Sequence, residues 1–228
     1  MSLILNIDTS TSVCSVALAR DREVIAVKEN NEGLNHSVLL GVYIDEILKE
    51  NQLDVHRLDA IAVSMGPGSY TGLRIGVSMA KGLCFGADKP LIAVPTLQAL
   101  ALSVASEIGE DAWYCPMLDA RRMEVYTALF DVHNQIMVDT KAEIIDEHSF
   151  ADILSERKVY FFGNGSDKVS PLITSPHAHF VPKVETSATH LVPLAEAYCK
   201  ERKFVDTAYF EPFYLKDFIA TVPRKKVF

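Results

Sequence analysis

Apolar residues dominate 3–7 and again 58–65, and both runs have the length of strands buried on two faces rather than of helices. The segments 13–20 and 24–30 read as two more strands joined by the polar turn Arg20-Asp21-Arg22, a meander near the start of the chain. Asn35 is placed to cap a helix over 35–50. The apolar positions of that helix, Val38, Leu39, Leu40, Val42, Tyr43, Ile44, Ile47 and Leu48, spread over more than one stripe. Gly66-Pro67-Gly68 then forces a sharp turn before a helix over 72–86, followed by a strand at 91–94 and a helix at 96–107. The order β-β-β-α-β-α-β-α makes one complete α/β lobe.

A polar stretch with Gly109 at 107–111 marks the expected boundary. Beyond it, 113–118, 124–130, 135–145 and 159–162 read as strands and 150–156 and 188–202 as helices. The expected division is therefore a lobe at 1–108, a smaller one at 109–221 whose last helix is free to pack back on the first, and a tail at 222–228. The closing Arg224-Lys225-Lys226 reads as a solvated end.

The helix over 72–86 is unusual, because an interior glycine costs about 1 kcal/mol against alanine and this helix holds Gly76 and Gly82. Gly72, Gly76 and Ala80 recur every four residues as one small face. Leu73, Ile75, Val77, Met79, Leu83 and Cys84 cover most of the remaining circumference. A small row lets two backbones approach closely, so the helix is either plain core or half covered by another protein.

With 228 residues and 49% hydrophobic side chains the chain can bury a substantial core. Its net charge of -8 argues against binding nucleic acid unaided, since phosphate contacts draw on clustered lysine and arginine. Cys14, Cys84, Cys115 and Cys199 lack the spacing of a zinc site or a disulfide framework and read as reduced thiols. An apolar run of about 18 residues, long enough to span a membrane, is missing, and so is a basic leader, so the expected compartment is the cytoplasm.

Candidate chemistry gathers at a few turns. The Gly66–Gly68 loop, with Ser69 and Thr71 after it, is either a cradle of bare backbone N–H groups for an anion or a tight turn capped by one of those hydroxyls. Asp8-Thr9-Ser10-Thr11-Ser12 either holds a magnesium-bound phosphate or closes a hairpin with its own side chains; its lack of glycine weakens the phosphate reading. His177 and His179 share a strand face but have no third ligand nearby, which favours an exposed loop over a metal site. Gly163-Asn164-Gly165 is a turn with or without a phosphate, and Asp119-Ala120-Arg121-Arg122 is an ion-paired turn or an anion or partner contact.

Four segments together carry a family resemblance. They are Ile4-Leu5-Asn6-Ile7-Asp8-Thr9-Ser10-Thr11-Ser12, the stretch from Asp59 to Gly76 through Gly66-Pro67-Gly68-Ser69-Tyr70-Thr71-Gly72, Ala80-Lys81-Gly82-Leu83, and Asp119-Ala120-Arg121-Arg122-Met123-Glu124-Val125-Tyr126. Their order resembles the TsaB (YeaZ) family over roughly the first 130 residues. Glu211-Pro212-Phe213-Tyr214-Leu215 resembles the family's closing segment.

The resemblance implies a two-lobed actin-like (ASKHA, ribonuclease H-like) α/β fold. It also implies a non-catalytic subunit for threonylcarbamoyladenosine modification of tRNA, partnered by its catalytic paralogue TsaD and the ATPase TsaE. TsaD holds its metal with two histidines four residues apart; the aligned places here are Thr96 and Leu100, and neither ligates as imidazole does. No cofactor is expected, and Asp8, Thr9, Gly66, Gly68 and Ser69 would line a vestigial nucleotide cleft. The docking face would use His36, Leu39, Val42, Tyr43, Gly72, Ile75, Gly76 and Met79. That face would also pair two copies of the isolated protein, with tRNA reached only through the complex and no membrane involved. The alternative is an active, sugar-kinase-like ATPase using Asp8 and the Gly66–Gly68 loop.

Overall fold

In the computed structural model, which describes residues 2–32 and 35–215, the chain forms two five-stranded mixed sheets. The first is built from β1 (Leu3–Asp8), β2 (Cys14–Arg20), β3 (Glu23–Asn30), β4 (Ala60–Gly66) and β5 (Leu91–Pro95), in the order β3-β2-β1-β4-β5. The second is built from β6 (Trp113–Asp119), β7 (Glu124–Phe130), β8 (Ile136–Ile144), β9 (Val159–Phe162) and β10 (Ala178–Phe180), in the order β10-β9-β6-β7-β8.

The two orders are the same pattern. In each, an antiparallel meander is followed by two strands parallel to its first. β1 is central and buried along its whole length, hence its mostly apolar sequence. β3 lies at an edge and alternates between covered and exposed positions.

Helices α1 (His36–Glu50) and α2 (Tyr70–Ala87) cover one face of the first sheet. Leu40, Ile44 and Ile47 from α1 and Val77, Ala80 and Cys84 from α2 meet Leu3, Leu5 and Ile7 there. The opposite face meets α5 (Ala188–Lys200), whose Leu191 and Ala195 pack on Ile4, Ala60, Ala62 and Ile92. α3 (Thr96–Ile108) follows the first sheet in the chain but gives most of its apolar side to the second. Its Leu97, Leu100 and Val104 pack against Tyr114, Phe130 and Phe162. α3 and α5 thus each cover the sheet built by the other half of the chain and touch one another. The short α4 (Ala151–Glu156) lies on the remaining face of the second sheet, where Leu154 joins the core.

β10 is an element the sequence pattern does not reveal. It places 178–180 in a parallel strand beside β9 where a loop was expected. His177 Nδ1 is hydrogen-bonded to the Leu154 carbonyl at 2.8 Å and the His179 ring rests on Tyr160, so neither ring is poised for a metal. The thiols of Cys14, Cys84 and Cys115 are buried and unpaired, and burial raises them to about 11, about 12 and about 12. No helix among the described residues is long and apolar enough to cross a membrane. The basic segment Arg224-Lys225-Lys226 lies outside the described residues.

Candidate functional site

β1 and β4 run parallel, so the Asp8 turn and the Gly66 loop leave the sheet side by side. Asp8 is buried, and three donors converge on its Oδ1: the Ser10 N–H at 2.8 Å, the Ser10 hydroxyl at 2.6 Å and the Ser64 hydroxyl at 3.0 Å. The turn therefore satisfies itself with its own side chains. Burial pushes the Asp8 carboxyl up from its ordinary 3.8, against the bonds from Ser10 and Ser64 and the nearby His190.

An acid raised by burial contributes stability below its unfolded pKa and loses it as pH rises through the folded one. Asp8→Asn keeps the Oδ1 acceptor and removes the ionisation. The variant should melt higher than the parent at pH 7 and show a flatter loss of stability from pH 4 upward, read by thermal melts across that range.

The Gly66–Gly68 loop faces the same turn. Ser69 caps α2, its hydroxyl accepting from the Gly72 N–H at 3.3 Å, and its own N–H donates to the Ser10 carbonyl at 2.7 Å. A Cβ on Gly68 would stand 2.4 Å from the Ser10 carbonyl oxygen. The Ser69 N–H and the Cβ position of Gly68 thus both face the Ser10 carbonyl oxygen. Gly66 has φ +110°, and a Cβ there would lie 2.7 Å from the Phe213 carbonyl oxygen. The Phe213 N–H in turn donates to Met65 O at 2.7 Å. Thr96 turns its hydroxyl to accept from the Gly66 N–H at 3.1 Å, and Leu100 is buried against the second sheet. Among the described residues no group of three or more His, Cys, Asp or Glu side chains is arranged to hold a metal ion.

The small face of α2 also points at this turn. A Cβ on Gly72 would lie 2.1 Å from the Thr9 carbonyl oxygen, and one on Gly76 would lie 2.3 Å from Thr9 Oγ1. Thr9 Oγ1 donates to the Gly72 carbonyl at 2.7 Å. The close approach that the glycines permit is to Thr9 of this chain, its backbone at Gly72 and its side chain at Gly76. Gly72 and Gly76 therefore lie inside the protein and are corrected as surface candidates. The same holds for His36, which is buried and hydrogen-bonded to the Val13 carbonyl at 3.1 Å.

The rest of the α1–α2 pair is open. Val38 is 68% exposed, Val42 47% and Phe85 88%, while Leu39, Tyr43, Ile75 and Met79 are half-buried with one side on the core. Ser37, Tyr70, Arg74, Ile75, Met79 and Leu83 help line a groove of about 710 Å³ between the two helices. Gly82 sits in that groove with nothing within 4 Å of its would-be Cβ. No contact among the described residues explains that glycine. The segment 206–215 straps α2 from the other side: Lys81 Nζ donates to the carbonyls of Ala208 and Phe210, each at 3.0 Å, and Tyr214 packs on Tyr70. At the far turns, Asp119 pairs with Lys168 rather than with Arg121 or Arg122. Asn164 Oδ1 accepts the Asp119 N–H at 2.9 Å, with Gly163 pressed on the Met117 carbonyl.

Two five-stranded sheets of the same strand order, with α3 and α5 exchanged between them, define an actin-like (ASKHA) fold. The family model TsaD, tRNA N6-adenosine threonylcarbamoyltransferase, matches residues 23–223. The tRNA threonylcarbamoyladenosine biosynthesis protein TsaB of Bacillus subtilis is 37% identical over 167 residues, covering 71% of this chain and 70% of that one. Its Escherichia coli counterpart is 30% identical over 230 residues, covering 95% and 96%. YeaZ from Pseudomonas aeruginosa superposes with a TM-score of 0.81 at 27% identity, over 94% of this chain and 100% of the other. The chain belongs to the TsaB (YeaZ) family of tRNA threonylcarbamoyladenosine biosynthesis proteins, which is related to TsaD.

Proposed function

We propose that the protein is a non-catalytic subunit for threonylcarbamoyladenosine modification of tRNA, holding a TsaD-like catalytic paralogue on its α1–α2 face. The observation that carries this reading is the division between the two faces of α2. One is fitted closely to the Thr9 turn. The other presents apolar side chains and an uncovered interior glycine, Gly82. A helix glycine that costs about 1 kcal/mol and meets nothing among the described residues is accounted for by a partner that approaches closely.

In this reading a TsaE-like ATPase joins the assembly and tRNA is bound through the complex, consistent with the net charge of -8. Its compartment is the cytoplasm. The same face pairs two copies when the protein is alone. The rival reading, a sugar-kinase-like ATPase, asks Asp8 to reach a magnesium ion, yet its Oδ1 already accepts three hydrogen bonds inside the protein.

Reconstitution tests the proposal directly. A mixture of a TsaD-like transferase, a TsaE-like ATPase, ATP, tRNA and a preformed activated threonylcarbamoyl donor should modify tRNA only when this chain is added. Equal modification without it would refute the role. Calorimetry with magnesium and ATP on the isolated chain separates the rival: tight binding lost in Asp8→Ala would establish the ATPase instead.

A further inference from the structure

The two sheets share one strand order, so the same row of side chains can be followed across both. In the first, Ile7 pairs with Val16 and Val16 with Lys28; in the second, Met117 pairs with Thr127 and Thr127 with Lys141. Each row runs from a core residue of the central strand to a lysine on the edge strand, beneath α1 in one lobe and α4 in the other. What meets the two lysines differs. Lys28 is clamped by two carboxylates of α1, Glu46 at 2.8 Å and Glu50 at 2.6 Å. α1 has 15 residues and α4 only 6, and no carboxylate of α4 pairs with Lys141. Lys141 Nζ instead meets its strand neighbour, Glu143 Oε2, at 3.0 Å.

Beside that pair a cavity of about 250 Å³ opens between β7, β8 and the start of α4. β8 slips register twice against β7 there, around Leu129, which bends the edge strand. Leu129, Val138, Phe150 and Ile153 give the cavity apolar walls, while Lys141, Glu143 and Asp152 give it one positive and two negative groups. Beyond its ion pair, Glu143 Oε2 is shielded from solvent and accepts no hydrogen bond among the described residues. Such an oxygen is costly to leave unmatched. Inward-pointing charges also guard an edge strand against pairing, but that role requires neither a cavity nor apolar walls.

We propose that this cavity binds a free α-amino acid with an apolar side chain. The ligand's carboxylate takes Lys141 as Glu46 and Glu50 take Lys28, its ammonium donates to Glu143 and Asp152, and its side chain rests on Val138, Phe150 and Ile153. A bare carboxylate would face two negative groups, and a bare amine would face the lysine. Only a molecule carrying both charges close together matches the three. The volume lies below the roughly 300–1,000 Å³ of pockets for drug-sized ligands, which suits a molecule of this size. The site is on the other sheet from the α1–α2 face and does not depend on the docking reading.

Calorimetry of the full chain tests this with L-leucine as the probe, beside isocaproate and isopentylamine, each of which lacks one of its charges. L-leucine should bind saturably with a dissociation constant below about 1 mM. Each analogue should bind at least about tenfold more weakly, because one charged group of the site is left unmatched. Lys141→Met and Glu143→Gln should each lose about tenfold or more in leucine affinity and still melt close to the parent, since both side chains reach solvent. The comparison of analogues uses the parent protein alone, so it decides the matter even where a variant misfolds. Absence of saturable binding by L-leucine, valine, methionine and phenylalanine up to about 10 mM overturns the proposal. Isocaproate or isopentylamine binding as tightly as L-leucine, or leucine affinity unchanged in both folded variants, overturns it as well.

Discussion

Replacing Gly76 or Gly72 by alanine is expected to cost about 3 kcal/mol, a fall of about 6–12 °C in melting temperature for a chain of this size. The same change at Gly82 is expected to stabilise. The three glycines are indistinguishable in helix propensity, so an isolated helix would gain about 1 kcal/mol at each. What separates them is the neighbour that a methyl group would meet.

At Gly72 the neighbour is the Thr9 carbonyl oxygen at 2.1 Å, part of a backbone already bound to α2 through the Thr9 hydroxyl. At Gly76 it is Thr9 Oγ1 at 2.3 Å, the oxygen that makes that bond. Neither can yield without shifting the helix off the sheet. At Gly82 nothing lies within 4 Å, and the propensity gain of about 1 kcal/mol should appear as a rise of about 2–4 °C. Melts of the three variants by circular dichroism decide it. Equal melting temperatures for Gly76→Ala and the parent would show that α2 does not press on the Thr9 turn. Gly82→Ala carries a second consequence: a more stable protein that binds its partner less well would mark this glycine as the point of close approach.

A glutamate at Val42 should abolish the complex with a TsaD-like protein while leaving the fold intact. Val42 is 47% exposed on α1, so the substitution adds a solvated charge to the free protein at little cost. In the complex the same charge would be desolvated among apolar groups without a partner, which weakens association by at least about 100-fold. Met79 is the harder test, since it packs partly on the core below and its Cε lies 3.6 Å from the would-be Cβ of Gly41. Met79→Glu is expected to lose stability as well as binding, so only the double variant's folded fraction is informative. A folded Val42→Glu, Met79→Glu protein that is still captured by the TsaD-like subunit would exclude this face.

The elements were legible because each one's periodicity matches its burial. β1 and β4 are mostly apolar because both sides of the sheet are covered, and β3 alternates because it lies at an edge. β10 escaped detection for a physical reason. With only three residues in the strand there is no alternation to read, and the strand exists because β9 offers it a parallel partner. The Asp8 turn was legible as a self-satisfied turn from its hydroxyls and lack of glycine, and the donors on Oδ1 agree. Ser64, the third donor, gave no local signal, because it arrives from a strand 56 positions away.

The sequence alone determined the succession of strands and helices apart from β10, the family, the placement of Thr96 and Leu100, and the presence of two helices too apolar for a simple surface role. Only the tertiary structure decided which side of those helices is free. The 3.6-residue repeat groups Gly72 with Gly76 on one face, but it carries no information about what covers that face. The register between β1 and β4 brings the Thr9 backbone against it, and leaves Val38, Val42, Arg74 and Gly82 uncovered.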